Sequence, residues 1–390
     1  VGDRWQIRFR YETGGKHRSG NHRFQTGQVV ELFSGKDDER LRGVLSRMRD
    51  SEFIVLVEDN PEWLESDRCG MDLTFQETTY REMERALERV HGLRGGAARL
   101  RDRLLDYAPT PDLEGEAAEA NGGQGEASTL DADDGLNAAQ RRAVAGILSV
   151  EDYAVVHGPP GTGKTTTLVA AIAGLARAGE SVLVTAATNA AVDLLAERLL
   201  AGGTDLLRLG HPARVNEEIW NHTLDGRLER HPEAALLEQY RHEAQELFRK
   251  ARRYRRNFGA AEAAERKALY AERGELLRTI REIETALTRS IVDQSQVVLT
   301  TQVGAAHGLL SQRRYSVCVI DEATQALEPA AWIPVLGSER VIMAGDHCQL
   351  PPTVLSDQAE LKETLFEKCL RRHDERPDRV FFLDTQYRME

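Results

Sequence analysis

Residues 153–166 read Tyr153-Ala154-Val155-Val156-His157-Gly158-Pro159-Pro160-Gly161-Thr162-Gly163-Lys164-Thr165-Thr166, and this stretch decides the fold. Its apolar start predicts a buried strand, and residues 166–178 predict a helix. Between them, residues 158–165 match the pattern GxxxxGK[ST], whose glycines let backbone N–H groups converge on phosphate oxygens at a helix N-terminus. We expect Lys164 to reach the terminal phosphates of a nucleotide and Thr165 to give its hydroxyl to Mg²⁺. A chance glycine-rich turn between a strand and a helix is the alternative.

Two later strands end in polar residues that would complete such a site. Residues 317–320 run into Asp321 and Glu322, and residues 341–344 run into a turn that contains Gln349. We expect Asp321 to hold Mg²⁺, Glu322 to polarise the water that attacks the γ-phosphate, and Gln349 to sense that phosphate. Paired acids also occur where a helix is capped, and without these neighbours Gln349 would belong to an ordinary turn. The predicted nucleotide contacts on the loop are Gly158, Pro159, Pro160, Gly161, Thr162, Gly163, Lys164, Thr165 and Thr166.

The whole chain predicts an α/β domain preceded by smaller units. Strand-like and helical runs alternate after residue 136, which is typical of a parallel sheet. Short alternating apolar runs before residue 78 predict a small β-barrel or sandwich. The predicted units are an accessory β-barrel (1–78), a stalk helix (79–107), an acidic flexible linker (108–135), the first part of the α/β domain (136–210), an inserted helical hairpin (211–290) and the second part of the domain (291–390).

The composition excludes several classes of protein. A chain of 390 residues can bury a large core, and no run approaches the ~18 apolar residues that a membrane span requires. Four cysteines without a CxxC pair predict neither a zinc ribbon nor a disulfide framework and favour a reducing, cytoplasmic setting.

The net charge of −12 argues against a nucleic-acid partner, but its distribution weakens that argument. Residues 108–135 contain eight acids and no Lys or Arg. Residues 249–256, by contrast, read Arg-Lys-Ala-Arg-Arg-Tyr-Arg-Arg. Such a basic run can attract phosphate, although more often it is a solvated helix face.

Six sequence blocks, in order between residues 136 and 389, resemble those of the superfamily 1 helicases, specifically the Upf-like group. Residues 136–140 are similar to the Q motif, 158–165 to motif I, 185–193 to motif Ia, 321–325 to motif II in its DEAxQ form, 345–352 to motif III, and 386–389 to the start of the next motif. The resemblance implies a RecA-like P-loop NTPase domain that uses ATP and Mg²⁺. The N-terminal segment is similar to the accessory barrel and stalk of the family.

The resemblance assigns roles to three further residues around the nucleotide. Gln140 would read the N7 and N6 edge of adenine through one acceptor and one donor. Tyr387 would stack on the adenine ring, and Arg388 would approach the γ-phosphate. Outside this motif, a core aromatic residue and a surface ion pair would be the simpler interpretations of Tyr387 and Arg388.

The resemblance also implies a track for single-stranded DNA or RNA. Its contacts would be Thr188 and Asn189 in motif Ia, Thr301 after a later strand, and Pro352 at the end of motif III. Hydroxyl and amide side chains bind phosphate and ribose without reading sequence, as a translocating motor requires. Thr188 and Asn189 are also residue types that cap a helix, and a cap is compatible with contact to the strand.

These features predict an ATP-dependent helicase or translocase, with 5′-to-3′ movement implied by the resemblance. The alternative is a nucleotide-gated clamp or assembly module without unwinding, for which a water-polarising Glu322 would be superfluous. A nuclease fused beyond either end is a third alternative. Protein partners are expected at the barrel or the insertion, and the oligomeric state is not readable. In the family a second RecA-like domain with an arginine finger would follow, so residues 1–390 alone are expected to hydrolyse ATP slowly and not to translocate.

Overall fold

The computed structural model describes residues 5–10, 24, 28–34, 40–49, 52–57, 69–73, 77–105, 135–210, 217–253, 259–349, 351–352, 354, 362–371 and 377–387. The predicted acidic linker, apart from Gly135, lies outside these residues, as does Arg388.

Five strands in the described part of the N-terminal segment form an antiparallel sheet in the order β1-β4-β3-β2-β5. Alternate residues such as Val30 and Leu32, and Val55 and Val57, are buried in a small core of their own. A pairing of β1 with β5, which would close a barrel, is not among the pairings of these described strands, so the barrel stays a prediction. The strands are β1 (Trp5–Arg10), β2 (Val29–Ser34), β3 (Arg40–Arg49), β4 (Glu52–Val57) and β5 (Cys69–Leu73).

The segment predicted as one stalk helix over 79–107 is instead two helices. They are α1 (Glu77–Gly92) and α2 (Arg99–Leu105), joined through a short 3-10 turn at Gly95–Ala98. Gly95 has φ +58°, a left-handed conformation that an α-helix cannot contain, so the chain must turn there. Ala86, Val90 and Leu104 are buried against the α/β domain.

Seven strands of the described α/β region form a wholly parallel sheet in the order β12-β6-β11-β10-β7-β9-β8. In a parallel sheet all carboxyl ends lie at one edge, which brings distant sequence blocks together. The predicted α/β class and its parallel sheet are confirmed. The strands are β6 (Tyr153–His157), β7 (Val182–Ala186), β8 (Leu207–Arg208), β9 (Val297–Thr301), β10 (Tyr315–Asp321), β11 (Ser338–Gly345) and β12 (Val380–Phe382).

Helices cover both faces of this sheet, because successive strand residues point to opposite faces. Val156, Val184 and Val319 pack on one face against α3 (Ala138–Ser149), α4 (Lys164–Arg177) and α5 (Asn189–Ala201). Residues one position earlier or later, including Val155, Leu183 and Ile320, pack on the other face. That face is covered by α1 and by three later helices, α9 (Gly308–Ser311), α10 (Glu328–Val335) and α11 (Leu365–Leu370).

The connection from β8 to β9 carries the helical insertion. It contains α6 (Leu224–Glu229), α7 (Ala234–Arg252) and α8 (Ala260–Gln294). The helices α7 and α8 run antiparallel, since Arg241 pairs with Glu284 near one end while Phe248 contacts Tyr270 further along. Although α8 is long, no helix in the described residues is apolar enough over 18 residues to cross a membrane.

Candidate nucleotide and nucleic-acid site

The phosphate loop connects the carboxyl end of β6 to the start of α4. Gly161 and Gly163 have φ values of 85° and 82°, which favour glycine. A Cβ on Gly158 would lie 2.6 Å from Thr162 Oγ1, and one on Gly163 would lie 2.4 Å from Gln140 Nε2. Thr162 Oγ1 itself donates to the carbonyl of Pro159 at 2.8 Å. The loop is therefore a close-packed turn that only glycines fit at these positions.

Lys164 is buried at the start of α4 with its ammonium folded over the loop. Its Nζ donates to the carbonyl oxygens of Gly158 at 2.7 Å and Pro159 at 3.3 Å. Those neutral acceptors can be exchanged for phosphate oxygens, which a charged donor binds more strongly. The side chain of Thr166 is exposed beside the loop and accepts a hydrogen bond from Arg198.

Asp321 ends β10 and faces the first turn of α4. Burial, and then the carboxylate of Glu322, raise the pKa of Asp321 to about 6, while a hydrogen bond from Thr165 and the charge of Lys164 act in the opposite sense. Asp321 Oδ1 also accepts the backbone N–H of Glu322 at 2.9 Å. A buried carboxylate beside a second one, with a hydroxyl at hand, offers the hard oxygen ligands that Mg²⁺ prefers.

Glu322 has an unusual backbone. Its φ is 51° and its ψ 42°, and it is the one non-glycine residue with positive φ in the described part of the chain. The side chain is only partly buried, and its Oε2 lies 3.4 Å from Gln325 Nε2. The left-handed conformation turns the carboxylate out of the strand direction at the sheet edge.

Gln349 lies in the turn after β11, and β11 is the strand next to β6. Its Nε2 donates to Asp346 Oδ2 at 3.2 Å, and its backbone N–H donates to the carbonyl of Asp346. A contact of 2.8 Å between His157 Nε2 and His347 Nδ1 ties this turn to the strand before the phosphate loop. Burial, and then His347, lower the pKa of His157.

Gln140 and Tyr387 both contact the phosphate loop. Gln140 is buried, and its Oε1 accepts from the Asn137 backbone at 2.9 Å while its Nε2 donates to Thr162 O at 3.1 Å. The amide thus braces the loop, so reading adenine would require at least one of these contacts to be exchanged. Tyr387 is 62% exposed, its backbone N–H donates to Gly161 O, and its hydroxyl accepts from Asn137 Nδ2. An exposed ring beside the loop is a suitable surface for a base.

The predicted nucleic-acid contacts follow neighbouring strands at the same sheet edge. Ala186 of β7 is in register with Thr301 of β9, and Thr188 and Asn189 come directly after β7. Thr188 is exposed and caps α5, with its Oγ1 accepting from Ala191 N at 3.2 Å. Thr301 Oγ1 accepts from Gly304 N at 3.1 Å. Pro352 lies partly buried beyond the Gln349 turn.

Arg208 is a residue of this edge that the sequence analysis missed. It is fully buried at the end of β8, where its guanidinium contacts Asp193 and Asn189. The sequence contains a signal for it, because Arg208 stands within an apolar run formed by Leu206, Leu207 and Leu209. A charged residue in such a run is expected to be buried and paired.

Comparison with known proteins identifies the family of the α/β region. The family described as "AAA domain" matches residues 135–357, which is more than half of the chain. The matched span contains the phosphate loop, both strand-end acids, the Gln349 turn and the predicted strand contacts after β7 and β9.

Relatives extend the similarity over most of the chain. DNA-binding protein SMUBP-2 of Rattus norvegicus is 34% identical over 382 residues, covering 94% of this chain and 36% of that protein. An uncharacterized ATP-dependent helicase of Methanocaldococcus jannaschii is 30% identical over 373 residues, covering 85% of this chain and 52% of that protein. A regulator of nonsense transcripts 1 homolog of Arabidopsis thaliana is 35% identical over 265 residues, covering 65% of this chain and 19% of that protein. The chain thus spans half or less of the length of most of these relatives.

Proposed function

We propose that this chain, which belongs to the AAA-domain family of Upf-like superfamily 1 helicases, contains the ATP-hydrolysing motor domain of a helicase or translocase acting on single-stranded nucleic acid. One observation carries the proposal. Lys164, Thr165 and Asp321 meet at one sheet edge, with Glu322 directly beside them.

The residues at this edge fit a magnesium-bound triphosphate. Asp321 is 3% exposed, and burial, followed by the neighbouring carboxylate of Glu322, raises its pKa. Thr165 and Asp321 would hold Mg²⁺, and the loop N–H groups with Lys164 would hold the phosphates. The bound Mg²⁺ would neutralise charge that develops on the phosphoryl group.

The protein groups divide the remaining work. Glu322 would accept the proton of the attacking water, and Gln349, in the turn after β11, would contact the γ-phosphate. Tyr387 would cover the base, and Arg388 would approach the γ-phosphate. Thr188, Asn189, Thr301 and Pro352 would contact a nucleic-acid backbone. A cytoplasmic setting stays a prediction.

The proposal is tested by nucleotide binding and by phosphate release from ATP, each with and without a single-stranded oligonucleotide. We expect Mg²⁺-dependent binding and slow phosphate release from the 390-residue chain, with the release stimulated by the strand. Glu322→Gln should bind nucleotide but lower release by about 10²-fold or more, because the general base is lost. Lys164→Ala should weaken nucleotide binding itself. Glu339→Gln, which alters an exposed glutamate on β11, is the matched control and should behave as wild type.

Two results would redirect the interpretation. A clamp would bind strand in a nucleotide-dependent way without any stimulation of phosphate release. Equal release by Glu322→Gln and wild type would contradict the assignment of the general base. Phosphate release is measured in parallel with dT oligomers and with U oligomers. The difference gives the preference for DNA or RNA, which depends on contacts to the 2′-hydroxyl.

A further inference from the structure

Arg208 has no accessible surface although it carries a charge at the end of a strand. Burial lowers its pKa, and the hydrogen bond and charge of Asp193 oppose that effect. A Cβ on Gly210 would lie 2.8 Å from Arg208 Nη1, so the guanidinium is packed closely on that side as well. A buried arginine with such fixed surroundings can hold a neighbouring group in one orientation.

Three hydrogen bonds fix the guanidinium. Its Nε donates to Asp193 Oδ1 at 2.7 Å, its Nη2 donates to Asn189 Oδ1 at 2.9 Å, and its Nη1 donates to the carbonyl of Leu209. Asn189 and Asp193 are four residues apart on α5 and therefore share one helix face. The guanidinium fork thus links β8 to the first turn of α5.

This contact determines which end of the Asn189 amide is used. An arginine has only donors, so Asn189 must turn its carbonyl oxygen toward Arg208; the reverse orientation would place donor against donor. The two N–H donors of the amide then remain for another acceptor. Asn189 is partly exposed and follows the exposed Thr188 at the sheet edge. Phosphate oxygens accept hydrogen bonds and cannot donate them once ionised.

We propose that Arg208 is a positioning residue that holds Asn189 with its amide donors directed to a phosphate oxygen of the nucleic-acid strand. The inference rests on the proposed function, since it names how one predicted strand contact is made. Arg208 itself is neutralised by Asp193 and inaccessible to the strand. It acts through Asn189 alone.

The test measures binding of fluorescent 20-nucleotide dT and U oligomers to the 390-residue chain by anisotropy, over a series of salt concentrations. The variants are Asn189→Ala, Asn189→Asp, Arg208→Lys and the double variant Arg208→Lys/Asn189→Ala. Arg340→Lys is the matched control, because Arg340 is a partly buried arginine that bonds Val150 O and Glu180, near the start of β11 and away from this edge. Melting temperature and binding of a fluorescent ATP analogue are recorded for each variant.

We expect Asn189→Ala and Arg208→Lys each to weaken strand binding by about 3- to 10-fold, the loss of one hydrogen bond. The double variant should bind the oligonucleotide with the same affinity as the single variant that binds less tightly, because both changes remove the same contact. Asn189→Asp should bind less well than Asn189→Ala, since its carboxylate has no donor for phosphate and its negative charge repels the strand. The salt slope of Asn189→Ala should equal that of wild type, because a neutral amide releases no counterion. ATP-analogue binding and the Arg340→Lys control should be unchanged.

The inference would be overturned if the affinity losses of the two single variants multiply in the double variant. It would also be overturned if Asn189→Asp binds the strand with wild-type affinity. Unchanged affinity in Asn189→Ala would overturn it as well, while leaving the proposed function in place. Nucleotide binding without any strand binding by the wild-type chain would contradict the nucleic-acid part of the proposed function, and the inference with it. If Arg208→Lys does not fold, the order of Asn189→Ala and Asn189→Asp alone decides.

Discussion

At the scale of single residues, Glu322 combines an unfavourable backbone with an unfavourable charge. A left-handed conformation costs an L-residue roughly 1–2 kcal/mol, and the carboxylate lies beside the buried Asp321. Strain of this kind persists where the surrounding structure enforces it, and it concentrates at functional sites. The position is therefore expected to trade stability for activity.

Two substitutions separate these costs at Glu322. Glu322→Gln removes the charge and keeps the strain, whereas Glu322→Asn removes the charge and tolerates the left-handed backbone. We expect both variants to be more stable than wild type in chemical unfolding at pH 8, with Asn ahead of Gln by about 0.5–1 kcal/mol. Both should lower phosphate release from ATP by about 10²-fold or more, because the general base is lost. A lower stability of Asn than of Gln would show that the backbone at this position is not strained.

The raised pKa of Asp321 predicts a pH dependence of stability. In the unfolded chain this carboxyl loses its proton near its ordinary value of 3.8, but in the folded protein only near 6. Between these values the folded state binds more protons, so stability falls as pH rises, and above 6 the loss is complete. Without nucleotide and Mg²⁺, the free energy of unfolding of Asp321→Asn should exceed that of wild type by about 1–3 kcal/mol at pH 8. Below pH 4 the two values should be equal. Unfolding in EDTA across this range measures the difference; a gap independent of pH would contradict the assignment.

At the scale of elements, two helical glycines make a matched pair. A Cβ on Gly146 of α3 would lie 2.0 Å from the ring of Phe381 on β12, whereas one on Gly274 of α8 would meet nothing within 4 Å. Gly274→Ala should stabilise the protein by about 0.5–1 kcal/mol through helix propensity. Gly146→Ala should instead destabilise it by about 1–3 kcal/mol, because the ring must move. Since β12 leads to Tyr387, Gly146→Ala should also weaken ATP-analogue binding. Equal effects of the two substitutions on stability would contradict this packing.

The elements of the α/β domain were predictable because their signals are local. The strands predicted at residues 317–320 and 341–344 lie within β10 and β11, and the strand predicted before the phosphate loop is β6, since fully buried parallel strands read as apolar runs. The two-residue strand β8 was missed because so short a run has no period. The single stalk helix predicted over 79–107 differs from the structure because α1 ends at Gly92 and the left-handed Gly95 begins a turn before α2.

The candidate site was predictable to the level of residues but not of contacts. Parallel strands gather their carboxyl ends, so the loop, Asp321 and Gln349 could be assigned to one edge from sequence alone. The bracing of the loop by Gln140, the conformation of Glu322 and the burial of Arg208 depend on packing between distant segments. The sequence pattern carries no direct signal for those contacts.

At the scale of the molecule, the sheet divides the two predicted activities between its halves. The predicted nucleotide residues follow β6, β11 and β10, while the predicted strand contacts Thr188, Asn189 and Thr301 follow β7 and β9; Pro352, beyond β11, is the exception. The halves meet where Asp321 of β10 is in register with Ala186 of β7, two residues before Thr188. Separate binding defects should therefore be obtainable at each half.

Thr301 and Lys164 test that division. Thr301→Val, which removes the hydroxyl, should weaken oligonucleotide binding by about 2- to 5-fold and leave ATP-analogue binding unchanged. Thr301→Ser retains the hydroxyl and should bind as wild type. Lys164→Ala should weaken ATP-analogue binding. Its oligonucleotide binding, measured in the absence of nucleotide, should be retained. Loss of both kinds of binding in either variant would indicate one shared site.

The insertion has a mechanical consequence. The first buried residue of α8 is Ile280, which packs with Leu237 of α7, and the 20 residues before it extend roughly 30 Å beyond this contact, at 1.5 Å per residue. The bond between Arg241 and Glu284 ties α7 to α8 near the base of this arm. A tilt of about 10° at the base would displace the far end by roughly 5 Å. A small rotation at the base would therefore move the far end of the arm most, and a spectroscopic label near Ala260 would register it best.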